Sequence, residues 1–275
     1  MSTIPASKAK GAGDSGQAPL VVYPESDGKP LGETGIHIEL MFEIMGVLRR
    51  HFQDREDLAI LANMFLYYQE GNPRKNVSPD IFVTLGVPSN PHRRTFKVWE
   101  EGKAPDCIIE LTSKGTRNED RRTKFQIYQD ILRVREYFLF DPEEEYLKPS
   151  LQGFRLVDGK YAPILPEAGR LPSEVLGLHF ERDELNLRLH DPLSGRWIPN
   201  AREVDAMYWE AKEAQLAEEE ARRREEEARH REEEARHREE EARRKEEAAR
   251  KLVESENERL RKEIQELRKR LTENL

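Results

Sequence analysis

The feature that most constrains this chain is a charged seven-residue repeat toward its C-terminal end. From Glu218 to Lys245 the sequence reads EEEARRR, EEEARHR, EEEARHR and EEEARRK. Only one small apolar residue occurs in each repeat, so the segment has almost nothing to bury. Its Glu residues precede Arg residues by four, a spacing that stabilises an isolated helix by ~0.2–0.5 kcal/mol for each pair. The repeat therefore predicts a solvated single helix.

An apolar seam begins after Lys251. One heptad position holds Val253, Leu260 and Leu267, and the other holds Asn257, Ile264 and Leu271. An Asn in such a seam specifies register in dimers. We therefore expect residues 201–275 to form a long charged helix that ends in a short parallel coiled coil and mediates homodimerisation. The alternative is a charged helix that associates with nothing.

Composition divides the remaining chain and excludes several classes of protein. Residues 1–19 have almost nothing to bury and are predicted to be disordered, whereas residues 20–200 are long enough to form a folded domain. A net charge of −8 excludes a wholly basic, nucleic-acid-coating surface. A single cysteine, Cys107, excludes a disulfide framework and a cysteine-based zinc cluster. The chain has neither an apolar run of membrane-spanning length nor a secretory signal, so we expect a cytoplasmic protein.

A helix is predicted near the start of the domain, in HIELMFEIMGVLRRHF. Apolar residues recur there at steps of three and four, as on one face of an α-helix. Thr34 is a suitable N-cap. The predicted apolar face comprises Ile38, Met41, Phe42, Met45, Leu48 and Phe52.

Short β-rich runs dominate the rest of the domain. LAILANMFLYYQEG fits a helix or a strand, and its neighbours favour a strand. PDIFVTLG, PDCIIELT and VREYFLFDP are predicted strands, and RNEDRRTKFQIYQDIL is a predicted helix before the last of them. That helix is expected to place Phe125, Ile127, Tyr128, Ile131 and Leu132 on one side. Two later segments read as hairpins with DG and SG turns. The order of elements predicts an α/β or α+β domain.

Two carboxylates and a lysine are the residues best suited to chemistry. Asp80 opens one predicted strand, and Glu110 lies among apolar neighbours inside another, where a carboxylate is costly unless paired or metal-bound. Lys124 follows on the next helix. Carboxylates that hold Mg²⁺ or Mn²⁺, with a lysine to neutralise developing charge, are suited to hydrolysing phosphodiesters. The alternative is a structural Glu110–Lys124 ion pair.

Asp106 also opens a Pro-Asp strand, so either Asp80 or Asp106 is a possible partner of Glu110. Asp106 lies four residues before Glu110 on the same strand, which puts the two side chains on one face but ~13 Å apart. A neighbour across the sheet reaches Glu110 more easily, and we therefore prefer Asp80.

Six stretches between residues 23 and 200 carry a family resemblance. They are YPESDGKPLGETGIH, EGNPRKNVSPDIFVTLGV, WEEGKAPDCIIELTSKGTRNED, TKFQIYQDILRVREYFLFDP, LQGFRLVDGKYAPI and LPSEVLGL. In order and density they resemble the Uma family of restriction endonucleases, a branch of the PD-(D/E)xK nuclease superfamily. The resemblance implies a restriction-endonuclease-like core with a mixed central sheet flanked by helices.

The same resemblance implies roles for individual residues. The metal ligands map onto Asp80 and Glu110. The superfamily's lysine normally follows the Glu by two residues, where this chain has Thr112. In the Uma family the lysine lies on the following helix, and Lys124 matches that place.

Further residues are expected to support the site. The resemblance points to His37, although a lone histidine at a helix end is more often structural or solvated. Asp120, one turn before Lys124, is placed to orient it. The supporting residues are thus Asp106, Thr112, Asp120 and His37. Tyr128, Glu136 and Asp141 are expected to be structural or to act from behind the site.

A local excess of basic residues suggests a nucleic-acid surface. Residues 71–135 hold 13 Lys plus Arg against 8 Asp plus Glu. Such a field suits a phosphate backbone, and the alternative is a mixed solvated surface. The basic residues that flank the carboxylates are Arg74, Lys75, Arg93, Arg94, Lys114, Arg117, Arg121 and Arg122.

The sequence therefore predicts an Mg²⁺- or Mn²⁺-dependent endonuclease that hydrolyses DNA, with RNA not separable from DNA as the substrate. Asp80 and Glu110 are its expected metal ligands and Lys124 its catalytic lysine. The alternative is an interaction protein with a weak or inactive nuclease fold, whose C-terminal helix mediates oligomerisation or tethering.

Overall fold

The structure is a computed structural model that describes residues 21–26, 34–113 and 119–273, with the backbone alone for 119–121 and 270–273. The helices are α1 (Gly35–His51), α2 (Val98–Glu101) and α3 (Ala201–Glu273), and two π-helical segments cover Glu119–Lys124 and Ile127–Leu132. The strands are β1 (Leu58–Ala62), β2 (Leu66–Tyr67), β3 (Asn76–Val77), β4 (Ile81–Leu85), β5 (Phe96–Lys97), β6 (Cys107–Leu111), β7 (Glu136–Phe140), β8 (Leu151–Val157), β9 (Lys160–Pro163), β10 (Leu171–Ser173), β11 (Leu178–Asp183), β12 (Asn186–Asp191) and β13 (Arg196–Trp197).

A mixed six-stranded sheet forms the centre of the first domain. Its strand order is β1-β4-β6-β7-β8-β9, and only β6 and β7 pair in parallel. A four-stranded antiparallel sheet runs β10-β11-β12-β13, and a small sheet runs β3-β2-β5. The predicted α+β class, with a mixed sheet followed by a long helix, is confirmed. The four-stranded sheet is larger than the single SG hairpin that the sequence indicated.

The two faces of the central sheet bury different partners, because side chains alternate along each strand. On β6, Cys107, Ile109 and Leu111 pack in one core with α1 and the four-stranded sheet. Ile108 packs on the opposite face, in a core that contains Tyr128 and residues of the small sheet. Burial on both faces explains why the central strands read as nearly continuous apolar runs.

Helix α1 begins where the sequence predicted. Thr34 has extended backbone angles, and its hydroxyl accepts a hydrogen bond from the backbone N–H of His37 at 3.4 Å. The predicted buried face is wrong at one position, because Phe42 is 60% exposed. The face that packs on the sheet comprises Leu40, Met41, Ile44, Val47 and Leu48.

The helix before β7 winds differently from the prediction. Much of residues 119–132 has π-helical turns, whose hydrogen bonds run from residue i to i+5. An apolar face predicted from the α-helical period is therefore rotated away from the face that is buried in this segment. Tyr128 and Leu132 are buried as expected, but Ile131 is 54% exposed.

The chain separates into two units, the first ending at Val204 and the second beginning at Asp205. The described part of the second unit is α3 from Asp205 onward, in which every side chain described from 205 to 269 is exposed. Ion pairs at i,i+4 run along it, including Arg238–Glu234, Arg244–Glu240 and Lys251–Glu247. Among the described residues no helix is long and apolar enough to cross a bilayer.

Gly153 on β8 marks a close approach that requires glycine. A Cβ atom there would lie 2.8 Å from Cε1 of Phe138 and 3.2 Å from Cδ1 of Ile164. We expect Gly153→Ala to lower the free energy of unfolding by about 1–3 kcal/mol, as overpacking does in a well-filled core. Urea denaturation measures the effect.

Gly46→Ala is the matched control for this prediction. A Cβ atom at Gly46, inside α1, meets nothing within 4 Å, so alanine should raise stability by ~0.5–1 kcal/mol through helix propensity. If Gly153→Ala and Gly46→Ala changed the free energy of unfolding by the same amount, the ring of Phe138 would have to move aside freely.

Candidate active site

Asp80 and Glu110 meet at the start of β4. In the antiparallel pairing of β4 with β6, Ile81 faces Ile109, so Asp80 stands opposite Glu110. The backbone N–H of Asp80 donates to Oε2 of Glu110 at 3.3 Å, and the N–H of Leu111 donates to Oδ2 of Asp80 at 2.7 Å. These contacts bring the two carboxylates together as the sequence predicted and leave Asp80 8% and Glu110 0% exposed.

Lys124 reaches Glu110 from the π-helical segment above the sheet. Its Nζ lies 3.0 Å from Oε2 of Glu110, and the residue is only 7% exposed. The lysine therefore points into the site and not to solvent. Two carboxylates and an ammonium converge in a largely buried space, which is expensive in desolvation for a contact with a structural role alone.

Tyr128 is a site residue whose contact the sequence analysis did not identify. Its hydroxyl donates to Oε1 of Glu110 at 2.6 Å, and the ring is fully buried. The available signal was its spacing of four residues from Lys124, which puts both side chains over the same strand residue. Tyr128 and Lys124 together hold both oxygens of Glu110.

His37 lies against the other carboxylate. Its Nε2 is 3.2 Å from Oδ1 of Asp80, and the imidazole is buried in the first turn of α1. The histidine that the family resemblance suggested is thus placed at the site. With the N–H of Leu111 on Oδ2, both oxygens of Asp80 have a neighbour that holds the carboxylate in position.

The surroundings of the site determine its protonation states. Burial acts to raise the pKa of Asp80, but the close contact with His37 and the positive charge of Lys124 outweigh it, and the pKa is lowered. Asp80 therefore stays ionised near neutral pH. Burial and the charge of Glu110 raise the pKa of Tyr128 well above its usual value. Tyr128 consequently remains a hydrogen-bond donor.

The donor set suits a hard divalent cation. Carboxylate oxygens are the ligands that Mg²⁺ prefers, and each accepts more than one contact because it carries two lone pairs. Within the described part of the chain, no three His, Cys, Asp or Glu side chains group into a complete metal cage. Two carboxylates are nevertheless sufficient for Mg²⁺, which usually keeps several waters and binds substrate phosphate oxygens as well.

Thr112 occupies the place where the superfamily has its lysine. It follows the last residue of β6 and is buried on the Glu110 face of the sheet. Its hydroxyl oxygen has no hydrogen-bond partner among the described residues, and neither does Oδ1 of Asp141, which follows β7. The residues that follow the paired strands β6 and β7 therefore retain two unsatisfied oxygen atoms.

Asp106 does not join the site. It precedes β6 at the end opposite Glu110, where Oδ2 accepts from the N–H of Leu85 and lies 2.8 Å from Nζ of Lys103. These contacts connect the end of β4 to the start of β6. Asp120, the residue expected to orient Lys124, has its side chain outside the described residues.

The predicted basic residues have different environments. Arg74, Lys75 and Arg122 are exposed, and Arg94 is exposed beside Glu25. Arg93 was predicted to contact nucleic acid, and the structure corrects this choice. Its nearly buried guanidinium forms two hydrogen bonds with the carboxylate of Glu101. Lys114, Arg117 and the side chain of Arg121 lie outside the described residues.

This chain is similar to a known protein family and to a solved structure. The model of a family described as "Uma2: Putative restriction endonuclease" matches residues 25–188. A crystal structure described as a putative nuclease belonging to DUF820, from Anabaena variabilis ATCC 29413, is similar with a TM-score of 0.43. It is 16% identical and covers 58% of this chain and 87% of that chain. No curated protein matches the sequence.

Proposed function

This chain belongs to the family described as "Uma2: Putative restriction endonuclease", and from that premise we propose that it is an Mg²⁺- or Mn²⁺-dependent endonuclease that hydrolyses DNA. The observation that carries the proposal is the buried contact between Lys124 and Glu110 beside Asp80. A buried ion pair is weak evidence for stability, because apolar residues of similar volume often serve as well or better. Its retention beside a second carboxylate supports a chemical role.

Each residue of the site has a task that its contacts support. Asp80 and Glu110 would hold the divalent cation. The cation, when bound, supplies Lewis-acid polarisation of the phosphodiester and makes water more acidic. Lys124 is placed to neutralise negative charge that develops on the phosphate as hydrolysis proceeds. Tyr128 fixes the orientation of Glu110 and His37 that of Asp80, as partners behind metal ligands do in general.

DNA is the proposed substrate because family and surface charge agree. The exposed side chains of Arg74, Lys75, Arg94 and Arg122 supply positive charge that suits a phosphate backbone. Homodimerisation through the seam of α3 belongs to the same proposal, since two catalytic domains suit the cleavage of two strands.

Titration calorimetry with Mn²⁺ tests the proposal on the full chain and two variants. The wild type should bind Mn²⁺, and Glu110→Gln should not. Lys124→Met should bind at least as tightly as the wild type, because the ammonium no longer competes for Oε2 of Glu110. In a plasmid-cleavage assay the same Lys124→Met variant should lose about 10²–10³-fold in rate. This pair of results separates metal binding from the chemical step.

A blank titration has a defined consequence. If the wild type binds no Mn²⁺ alone, the titration is repeated with a short non-cleavable DNA duplex, because phosphate oxygens can complete the ligand set. A second blank would contradict the proposal. The chain would then be better described as an interaction protein with a silent nuclease fold.

A further inference from the structure

The C-terminal part of α3 carries an exposed apolar stripe. Val253, Leu260, Ile264 and Leu267 are each about half exposed on a helix whose other described side chains there are mostly charged. Leu271 continues the spacing, although its side chain lies outside the described residues. Spacings of alternately three and four residues are those of a coiled-coil seam and keep the stripe on one side over three heptads.

Heptad positions follow from these spacings. The step from Asn257 to Leu260 is three residues, so Asn257 and Ile264 occupy position a, and Val253, Leu260 and Leu267 occupy position d. Leu at d with a single Asn at a favours two parallel strands. In an in-register parallel pair the two Asn257 side chains meet each other, whereas a shifted register would put each against aliphatic groups.

The charges beside the seam distinguish the two possible orientations. Glu256 and Glu263 precede Asn257 and Ile264 at position g, and Arg261 and Arg268 follow Leu260 and Leu267 at position e. At the two ends of the stripe, Glu254 occupies an e position and Arg270 a g position. In a parallel dimer g of one helix faces e of the next heptad of its partner, so every such pair joins Glu to Arg. In an antiparallel dimer g faces g and e faces e. Glu263 would then face its own counterpart and so would Arg261, although Glu256 would face Arg270 and Glu254 would face Arg268. Only the parallel dimer is free of like-charge pairs.

The same register also limits the seam toward the N-terminus. Carried upstream, it places arginine at every a position and glutamate at every d position. These are Arg222, Arg229, Arg236, Arg243 and Arg250 at a, and Glu218, Glu225, Glu232, Glu239 and Glu246 at d. A parallel pairing there would stack like charges, so the coil cannot extend past Val253.

We propose that α3 joins two copies of this chain through a parallel, in-register, two-stranded coiled coil confined to residues 253–271. The occupant of the stripe is a second copy, because in that arrangement each Glu at g faces an Arg at e and the two Asn257 side chains meet. The upstream helix, held by ion pairs such as Lys245–Glu241 and Lys251–Glu247, preorganises the segment and lowers the entropy cost of association. The inference specifies the geometry of the homodimer proposed above.

Sedimentation equilibrium of the full chain tests association. The wild type should be a dimer, and Ile264→Lys should be a monomer at the same concentration. Glu258→Lys, at an outward position of the same helix, is the matched control and should remain a dimer. A monomeric wild type would overturn both the homodimer and its geometry. A dimer unaffected by Ile264→Lys, or a trimer, would overturn the seam as the contact.

Oxidative cross-linking tests the orientation independently. Val253→Cys should form an interchain disulfide in nearly all of the dimer, because the two residues 253 meet only in a parallel pair. In an antiparallel pair residue 253 lies near residue 271, about 27 Å from its own counterpart at 1.5 Å per residue. The native Cys107 is buried and does not compete. A dimer that fails to cross-link at residue 253 would overturn the parallel geometry and leave homodimerisation intact.

Discussion

Replacement of Glu110 by glutamine is expected to lower kcat/KM for metal-dependent DNA cleavage by about 10²–10³-fold or more. The amide keeps the shape of the side chain but loses its charge. It also presents an NH₂ group where one of two donors, Lys124 Nζ or the Tyr128 hydroxyl, now finds an acceptor. Asp80→Asn should have a similar effect. Initial rates of plasmid cleavage in Mg²⁺ and in Mn²⁺ measure the loss.

Asp106→Asn is the matched control for this experiment. Asp106 is also buried, accepts a backbone hydrogen bond and has a lysine partner, but it lies at the other end of the same strand. The Asp106→Asn variant should be less stable than the wild type but should cleave DNA at the wild-type rate per folded molecule. Thermal melts of all variants supply the folded fraction. If Glu110→Gln cleaves at the wild-type rate, the carboxylates are structural and the assignment of the site is wrong.

The largest loss of stability is expected for Glu136→Ala, about 3–5 kcal/mol in the free energy of unfolding. Glu136 is buried on β7 and joins two sheets. Its carboxylate accepts from Nε of Arg155 at 3.0 Å, from the hydroxyl of Ser173 at 2.5 Å and from the backbone N–H of Glu174 at 2.9 Å. Removal of the carboxylate leaves the guanidinium, the Ser173 hydroxyl and the N–H of Glu174 without this acceptor.

Urea denaturation measures this loss, and Glu174→Ala is its control. Glu174 pairs with the same arginine, at 2.7 Å from Nη1 of Arg155, but its side chain is two-thirds exposed. Its removal should change stability by less than about 1 kcal/mol, as for other surface pairs. Similar losses for both variants would show that the exposed pair, and not the buried hydrogen-bond hub, connects the sheets.

The residues of the site show how far sequence reasoning reached. Pro-Asp before an apolar run and a glutamate inside one were enough to choose Asp80 and Glu110, because a carboxylate amid apolar neighbours is conspicuous. Lys124 was first a candidate only as a lysine on the next helix, fourteen residues after Glu110, and the family resemblance then matched it to the catalytic lysine. The spacing of four residues between Tyr128 and Lys124 was not used as a signal, because a tyrosine on an apolar helix face is first interpreted as a core residue.

The errors have a common origin in contacts between distant segments. The periodicity of α1 did not show that Phe42 faces solvent, because that depends on where the central sheet lies. Ile131 was misplaced because π-helical turns change the period. Arg93 was predicted to bind phosphate because the sequence does not show that the fold places Glu101 beside it.

Local chemistry along the chain determined the strands, the helix cap at Thr34, the two carboxylates and the heptad register of α3. Each follows from side-chain periodicity or from a polar residue among apolar neighbours within a few positions. The tertiary structure alone decided that His37 and Tyr128 hold the two carboxylates and that Glu136 joins two sheets. Those contacts span 18 to 43 residues, and their partners are chosen by how sheets and helices pack, which no local pattern encodes.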